Sequence, residues 1–247
     1  MEPAGTVDKA IDILFHLHAE PQAAGVTAIG RALGIPKSST HRLLGSLSRR
    51  GLVERDERGH YRPGMGLVAL GLGALEREPV VAAARPLLEA EAAELGETVF
   101  LVGARAGRLL VLAKAEGTGF LRAAPQVGSE VPVHATAVGK LFLALAPGLV
   151  EPAAHLERFT ERTADHEALE AEVGRARERG YAENREEWIP GLAVIAAPVC
   201  AGGRMHGALA VAATSARMQA LGRAVVARRV ITAGRRVAAR LEGEHDA

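Results

Sequence analysis

The sequence predicts an α+β protein in two parts: an N-terminal winged helix-turn-helix over residues 1–64 and, after a linker helix over 65–78, a larger domain over 79–247 built on an antiparallel sheet. Three observations predict it. Two short helical stretches separated by a glycine-bearing turn are followed at once by a hairpin pattern. Further along, two pairs of apolar strand segments are each joined by a turn of a few residues, too short for the helical crossover that parallel strands need. The 247 residues also suit two domains better than one, since domains commonly hold roughly 100 to 200 residues.

Residues 7–19 carry Val7, Ala10, Ile11, Leu14 and Leu17 at helical spacing, and Pro21 marks the end of that helix. Thr27 is placed to cap a short second helix with Ala28, Ile29, Ala32 and Leu33 inward and Gly34 as its stop. Pro36 suits the first position of a third helix, in which Leu43, Leu44 and Leu47 face inward until Gly51. Residues 52–55 and 60–62 then read as short strands around the turn Asp56, Glu57, Arg58, Gly59, which makes a wing. After Pro63 and Gly64, residues 65–76 form a glycine-spotted apolar helix. It is too weakly patterned to fold alone and is expected to bury its apolar side against another subunit. A helix over 80–95 ends at Gly96. Strands over 98–105 and 109–115, helices over 136–145 and 166–179, strands over 193–200 and 206–213, and a basic helix over 218–241 complete the prediction.

Apolar residues make up 48% and charged residues 24%, the balance of a globular chain with a real core. Cys200 is the sole cysteine, which excludes an intramolecular disulfide and a cysteine zinc cluster and fits the cytoplasm. The first residues lack the pattern of a signal peptide, and no apolar run reaches the length of a membrane span. Net charge is only +1, but between Val26 and Arg62 eight Lys or Arg face three acids, a local excess of five that leaves the remainder at −4. A basic module on a mildly acidic body is expected where one part meets phosphates and the other does not.

The predicted DNA-contacting residues follow from that placement. Ser38, Ser39, Thr40, His41 and Arg42 lie on the first turns of the third helix, where side chains reach base edges, with Arg42 the first choice for a guanine. Lys37 and the helix N-terminus suit phosphates. Arg55, Arg58, His60 and Arg62 on the wing would meet the backbone or a minor groove, and Thr27 and Arg49 complete the surface. No catalytic residues are assigned: adjacent Glu186 and Glu187 on an extended segment point to opposite faces. No metal and no cofactor is expected, because His134, His206 and Cys200 show no ligand spacing. Cys200 reads as a small buried residue and Trp188 as a lid or core. Competing readings are a metabolite-binding protein or enzyme with an N-terminal interaction module, and an architectural winged-helix protein with no ligand.

Residues 7–62, with the Leu33, Gly34, Ile35 turn and the helix from Lys37 to Leu44, resemble the winged helix of the IclR family of bacterial transcriptional regulators. The run from Pro132 through His134 and Thr136 to Gly139 and Lys140 is similar to that family's motif at the start of a pocket helix. Gly180, Tyr181, Ala182, Glu186, Glu187, Gly191 and the run Ile195 to Val199 are similar to a later one. The resemblance covers nearly the whole chain. It implies a homodimer or dimer of dimers on a roughly palindromic double-stranded operator, and a GAF-like domain closing on a small-molecule effector. It places the pocket at Phe120, Ala123, Ala137, Val138, Asn184, Leu192, Val194, Val211 and Ala213. A ligand carboxylate would meet the Thr136 hydroxyl, Arg122 or the amides opening that helix. Val211 and Ala213 stand where members that bind small acids have hydroxyls, and Val194 where they can have a thiol. A larger or more apolar acid, aromatic or acyl, is therefore expected in place of glyoxylate or pyruvate.

Overall fold

The computed structural model describes residues 5–20, 22–119, 125–151 and 155–243, and the chain divides into two compact units, Met1–Arg77 and Glu78–Ala247. The first holds α1 (Thr6–Ala19), α2 (Val26–Ala32), α3 (Lys37–Arg49), β1 (Val53–Arg55), β2 (Tyr61–Pro63) and α4 (Met65–Glu76). Its core gathers Ile13, Leu17, Ile29, Ile35, Leu43, Leu44, Leu47, Val53 and Tyr61. On α1 the buried stripe is Ala10, Ile13, Leu14 and Leu17, while Val7 and Ile11 lie exposed with Phe15. Spacings of three and four alternate along that stripe, whereas a strict repeat of four drifts off it. Gly25, not Thr27, stands at the N-cap of α2, and Thr27 lies exposed within the first turn.

The turn between α2 and α3 is fixed by backbone chemistry. Gly34 takes a φ of +66°, which suits glycine, and the Ile35 N–H donates back to the Gly30 carbonyl at 2.9 Å. A Cβ on Gly30 would stand 2.8 Å from the Ile35 carbonyl oxygen, so α2 approaches the turn as closely as only glycine permits. The Thr40 hydroxyl donates to the Pro36 and Ile35 carbonyls from within α3, at 3.1 and 3.3 Å. The wing follows, with β1 and β2 paired antiparallel.

The second unit holds α5 (Pro79–Leu95), β3 (Thr98–Arg105), β4 (Arg108–Ala115), β5 (Glu130–Val131), α6 (Ala137–Leu145), α7 (His166–Arg179), β6 (Ala182–Arg185), β7 (Leu192–Ala201), β8 (Arg204–Thr214), α8 (Ser215–Leu221) and α9 (Arg223–Gly243). The strands form one antiparallel sheet in the order β5-β4-β3-β8-β7-β6, so the unit has the α+β architecture the sequence predicts. Two-residue turns close both long hairpins, with positive φ at Ala106 and Gly107 and at Gly202 and Gly203, the geometry that matches strand twist. Helices α5 and α9 cover one face of the sheet, and α6, backed by α7, lies on the other. The basic helix predicted over 218–241 is two helices, because Gly222 at φ +81° breaks it. The short β5 and β6 were not predicted.

Candidate functional site

Thr40, Leu43, Leu44 and Leu47 turn inward on α3, and that fixes what the opposite side presents. Lys37, Ser38, His41, Arg42 and Arg49 are exposed and Ser39 is half-buried. Of these, Ser38, Arg42 and Arg49 fall on one face at helical spacing. Thr40 does not join them. Its side chain is fully buried and its hydroxyl is spent on the turn, which corrects the expectation that it contacts DNA. On the wing, Arg55 lies over the Tyr61 ring at 5.7 Å, and Arg62 pairs with Glu54 at 3.2 Å. The other Glu54 oxygen accepts from the Met65 N–H, tying the wing to the start of α4. That backbone hydrogen bond and the Arg62 guanidinium hold the Glu54 carboxyl below its ordinary range. Arg58 and His60 stand exposed at the wing tip, where Asp56 accepts from the His60 N–H. The face is basic and rich in donors, as a duplex groove requires.

The second unit holds a cavity of about 510 Å³ between the sheet and α6. The sheet contributes Phe100, Asn184, Leu192, Val194, Ala212 and Thr214, and the opening of α6 contributes Thr136, Ala137 and Val138. Trp188, Ile189, Pro190 and Gly191 form a further wall, so Trp188 serves the cavity as well as the core. Thr136 is the N-cap of α6, accepting from Gly139 N–H and donating to the Pro132 carbonyl. A Cβ on Gly139 would fall 1.7 Å from the Val133 carbonyl oxygen, so the helix can begin here only with glycine. The N–H groups of Ala137 and Val138, at the positive end of α6, have no acceptor among the described residues.

Of the residues expected in this pocket, the cavity brings together Thr136, Ala137, Val138, Asn184, Leu192 and Val194. Val211 and Ala213 are corrected. Side chains alternate along β8, and Ala208, Ala210 and Ala212 take the α6 side, which sends Val211 and Ala213 to the side of α5 and α9. Ala212 and Thr214 line the cavity there, so a hydroxyl is present one residue beyond the position read as lacking one. Phe120, Arg122 and Ala123 lie outside the described residues.

One feature passed unread in the sequence. Lys140, fully buried on α6, pairs with Glu187 at 2.7 Å and donates to the Glu183 carbonyl at 3.0 Å. Its signal in the sequence is a lysine amid the apolar run of that helix. Glu186 points elsewhere, accepting from the Ser215 hydroxyl at 2.6 Å; that bond and one from the Gly191 N–H hold its carboxyl below the ordinary range. The two carboxylates diverge. His134 stacks on Phe159 and meets the Glu157 carbonyl, and His206 meets the Ala201 carbonyl. Among the described residues no three potential ligands converge on a metal position. Cys200, read as buried, is exposed.

Comparison with known proteins bears on both units. Residues 6–57 match the IclR helix-turn-helix domain and residues 72–239 match the bacterial transcriptional regulator IclR C-terminal domain. The HTH-type transcriptional regulator BhcR of Paracoccus denitrificans is 35% identical over 199 residues, covering 78% of this chain and 71% of that one. A crystal structure described as an IclR transcriptional regulator from Silicibacter superposes with a TM-score of 0.82 at 27% identity, covering 96% of both chains. An IclR homologue from Microbacterium hydrocarbonoxydans, solved in complex with 4-hydroxybenzoate, shares the fold with a TM-score of 0.84 at 22% identity, covering 97% of this chain and all of the other. Among the described residues no helix is long and apolar enough to cross a membrane.

Proposed function

The chain belongs to the IclR family of bacterial transcriptional regulators, and from that premise we propose that it reads operator DNA with α3 and the wing in a state set by an organic acid held in the α6 cavity. The observation that carries the reading is the division of labour within one chain: a donor-rich, uncovered face on α3 in one unit, a preformed apolar cavity in the other. Arg42 and Ser38 read base edges, Lys37 and Arg49 hold phosphates, and Arg55, Arg58, His60 and Arg62 add wing contacts.

The ligand is an aromatic or acyl acid. Its carboxylate is received by the unpartnered amides of Ala137 and Val138, and its apolar body lies against Phe100, Val194 and Trp188. A volume of about 510 Å³ exceeds what a two- or three-carbon keto acid fills, and the homologue that holds 4-hydroxybenzoate has the same fold. The protein acts as a homodimer, because α4 buries none of its residues and leaves Met65, Val68, Leu70 and Leu72 uncovered. Footprinting on the DNA upstream of its own gene tests the reading. A protected, roughly palindromic site whose occupancy changes when an aromatic acid is added supports it; no protection beyond that of arbitrary DNA overturns it.

A further inference from the structure

Asn184 sits on β6 opposite Val194 and lines the cavity, yet only 1% of its surface is exposed. Its Nδ2 donates to the Ala135 carbonyl, which fixes the amide's orientation, since the oxygen placed there would face another oxygen. The Oδ1 atom is left buried with no donor among the described residues. The nearest hydroxyl along the chain from Ala135 cannot serve it: Thr136 already gives its proton to the Pro132 carbonyl at 2.7 Å. A buried acceptor without a partner is disfavoured unless something that enters the site completes it.

We infer that the ligand is an acid that also carries a hydrogen-bond donor, a hydroxyl or amino group, beside its carboxylate, and that Asn184 Oδ1 accepts from it. The inference rests on the acid-binding reading of the cavity and sharpens it. Asn184 is anchored to Ala135, one residue before the Thr136 cap, so its free oxygen belongs to the same corner as the Ala137 and Val138 amides. The donor therefore lies at the acid end of the molecule, away from the apolar walls. Thr214 adds a second polar point, because its oxygen accepts from Arg217 N–H while its own proton stays available. An acid lacking the donor would bury Asn184 unpaired, and the site would reject it for that reason.

Calorimetric titration of the full-length chain with matched acids tests this: mandelate against phenylacetate, and salicylate against benzoate. The hydroxylated member of at least one pair is expected to bind at least about tenfold more tightly. In Asn184→Leu that advantage should vanish, so that the two members of the pair bind the variant with equal affinity. Asn184→Ala serves if the leucine variant melts early, and the comparison on the unaltered chain stands without either. Equal affinity within both pairs, or a preference that survives the substitution, overturns the inference and leaves the acid reading intact. Binding by none of the four acids removes both.

Discussion

At the scale of single residues, the division between contact and scaffold on α3 follows from which side chains are spent. The Thr40 hydroxyl is used internally, so Thr40→Val should lower stability by about 1 kcal/mol in a denaturant melt without changing the operator affinity of the folded protein. A weakened affinity at unchanged stability would return Thr40 to the interface. Glu54 gives a prediction in pH. Its pKa is depressed in the folded state, so its ties to Arg62 and Met65 add stability above the ordinary value of 4.5, and that contribution is lost as pH falls through the lower, folded value. Thermal melts of wild type and Glu54→Gln should differ at pH 7 and converge in acid; a gap independent of pH would contradict it. What the sequence withheld at this scale was parity. Asn184 and Val194 line the cavity, whereas Val211 and Ala213 stand one residue away from Ala212 and Thr214, and in a strand one residue reverses the face. Nothing in an unbroken apolar run of alanines and valines marks which alternate set faces the cavity.

At the scale of elements, a helix with both ends marked by residue type was legible. His166–Arg179 is bounded by Asp165, whose carboxylate accepts from Ala168 N–H, and by left-handed Gly180, both visible as residue types. The break at Gly222 inside a continuous basic pattern was not, because an isolated glycine in a helical run is often tolerated. The opening of α6 is the most constrained element start in the cavity. Gly139→Ala would drive a methyl into the Val133 carbonyl, so a loss of about 3 kcal/mol or more is expected in chemical denaturation, together with loss of ligand binding. Full stability would mean that the close approach is not essential. Helix α4 carries the complementary prediction. Replacing Leu70 and Leu72 by glutamate should leave the fold unchanged by circular dichroism and shift the mass measured by light scattering from dimer to monomer. A dimer of wild-type strength would place the subunit contact elsewhere.

At the scale of the whole molecule, the chain assigns electrostatics to one unit and apolar recognition to the other. The net charge of +1 conceals this, and the basic excess between Val26 and Arg62 discloses it. Two-domain architecture, the winged helix and the antiparallel sheet were all legible, because each rests on patterns local in sequence: glycine turns, caps and short hairpins. The buried Lys140–Glu187 pair was not, since its partners lie 47 residues apart and meet only when α6 packs against the sheet. In the proposed function the exposed face of α3 lies in a major groove with Arg42 on a guanine. Methylation interference, which blocks guanine N7 in that groove, tests it most directly. Interference is expected at discrete guanines in each half-site, with one of them silent for Arg42→Ala, whose affinity should fall by about 1 to 3 kcal/mol. Binding indifferent to N7 methylation at every guanine would contradict it.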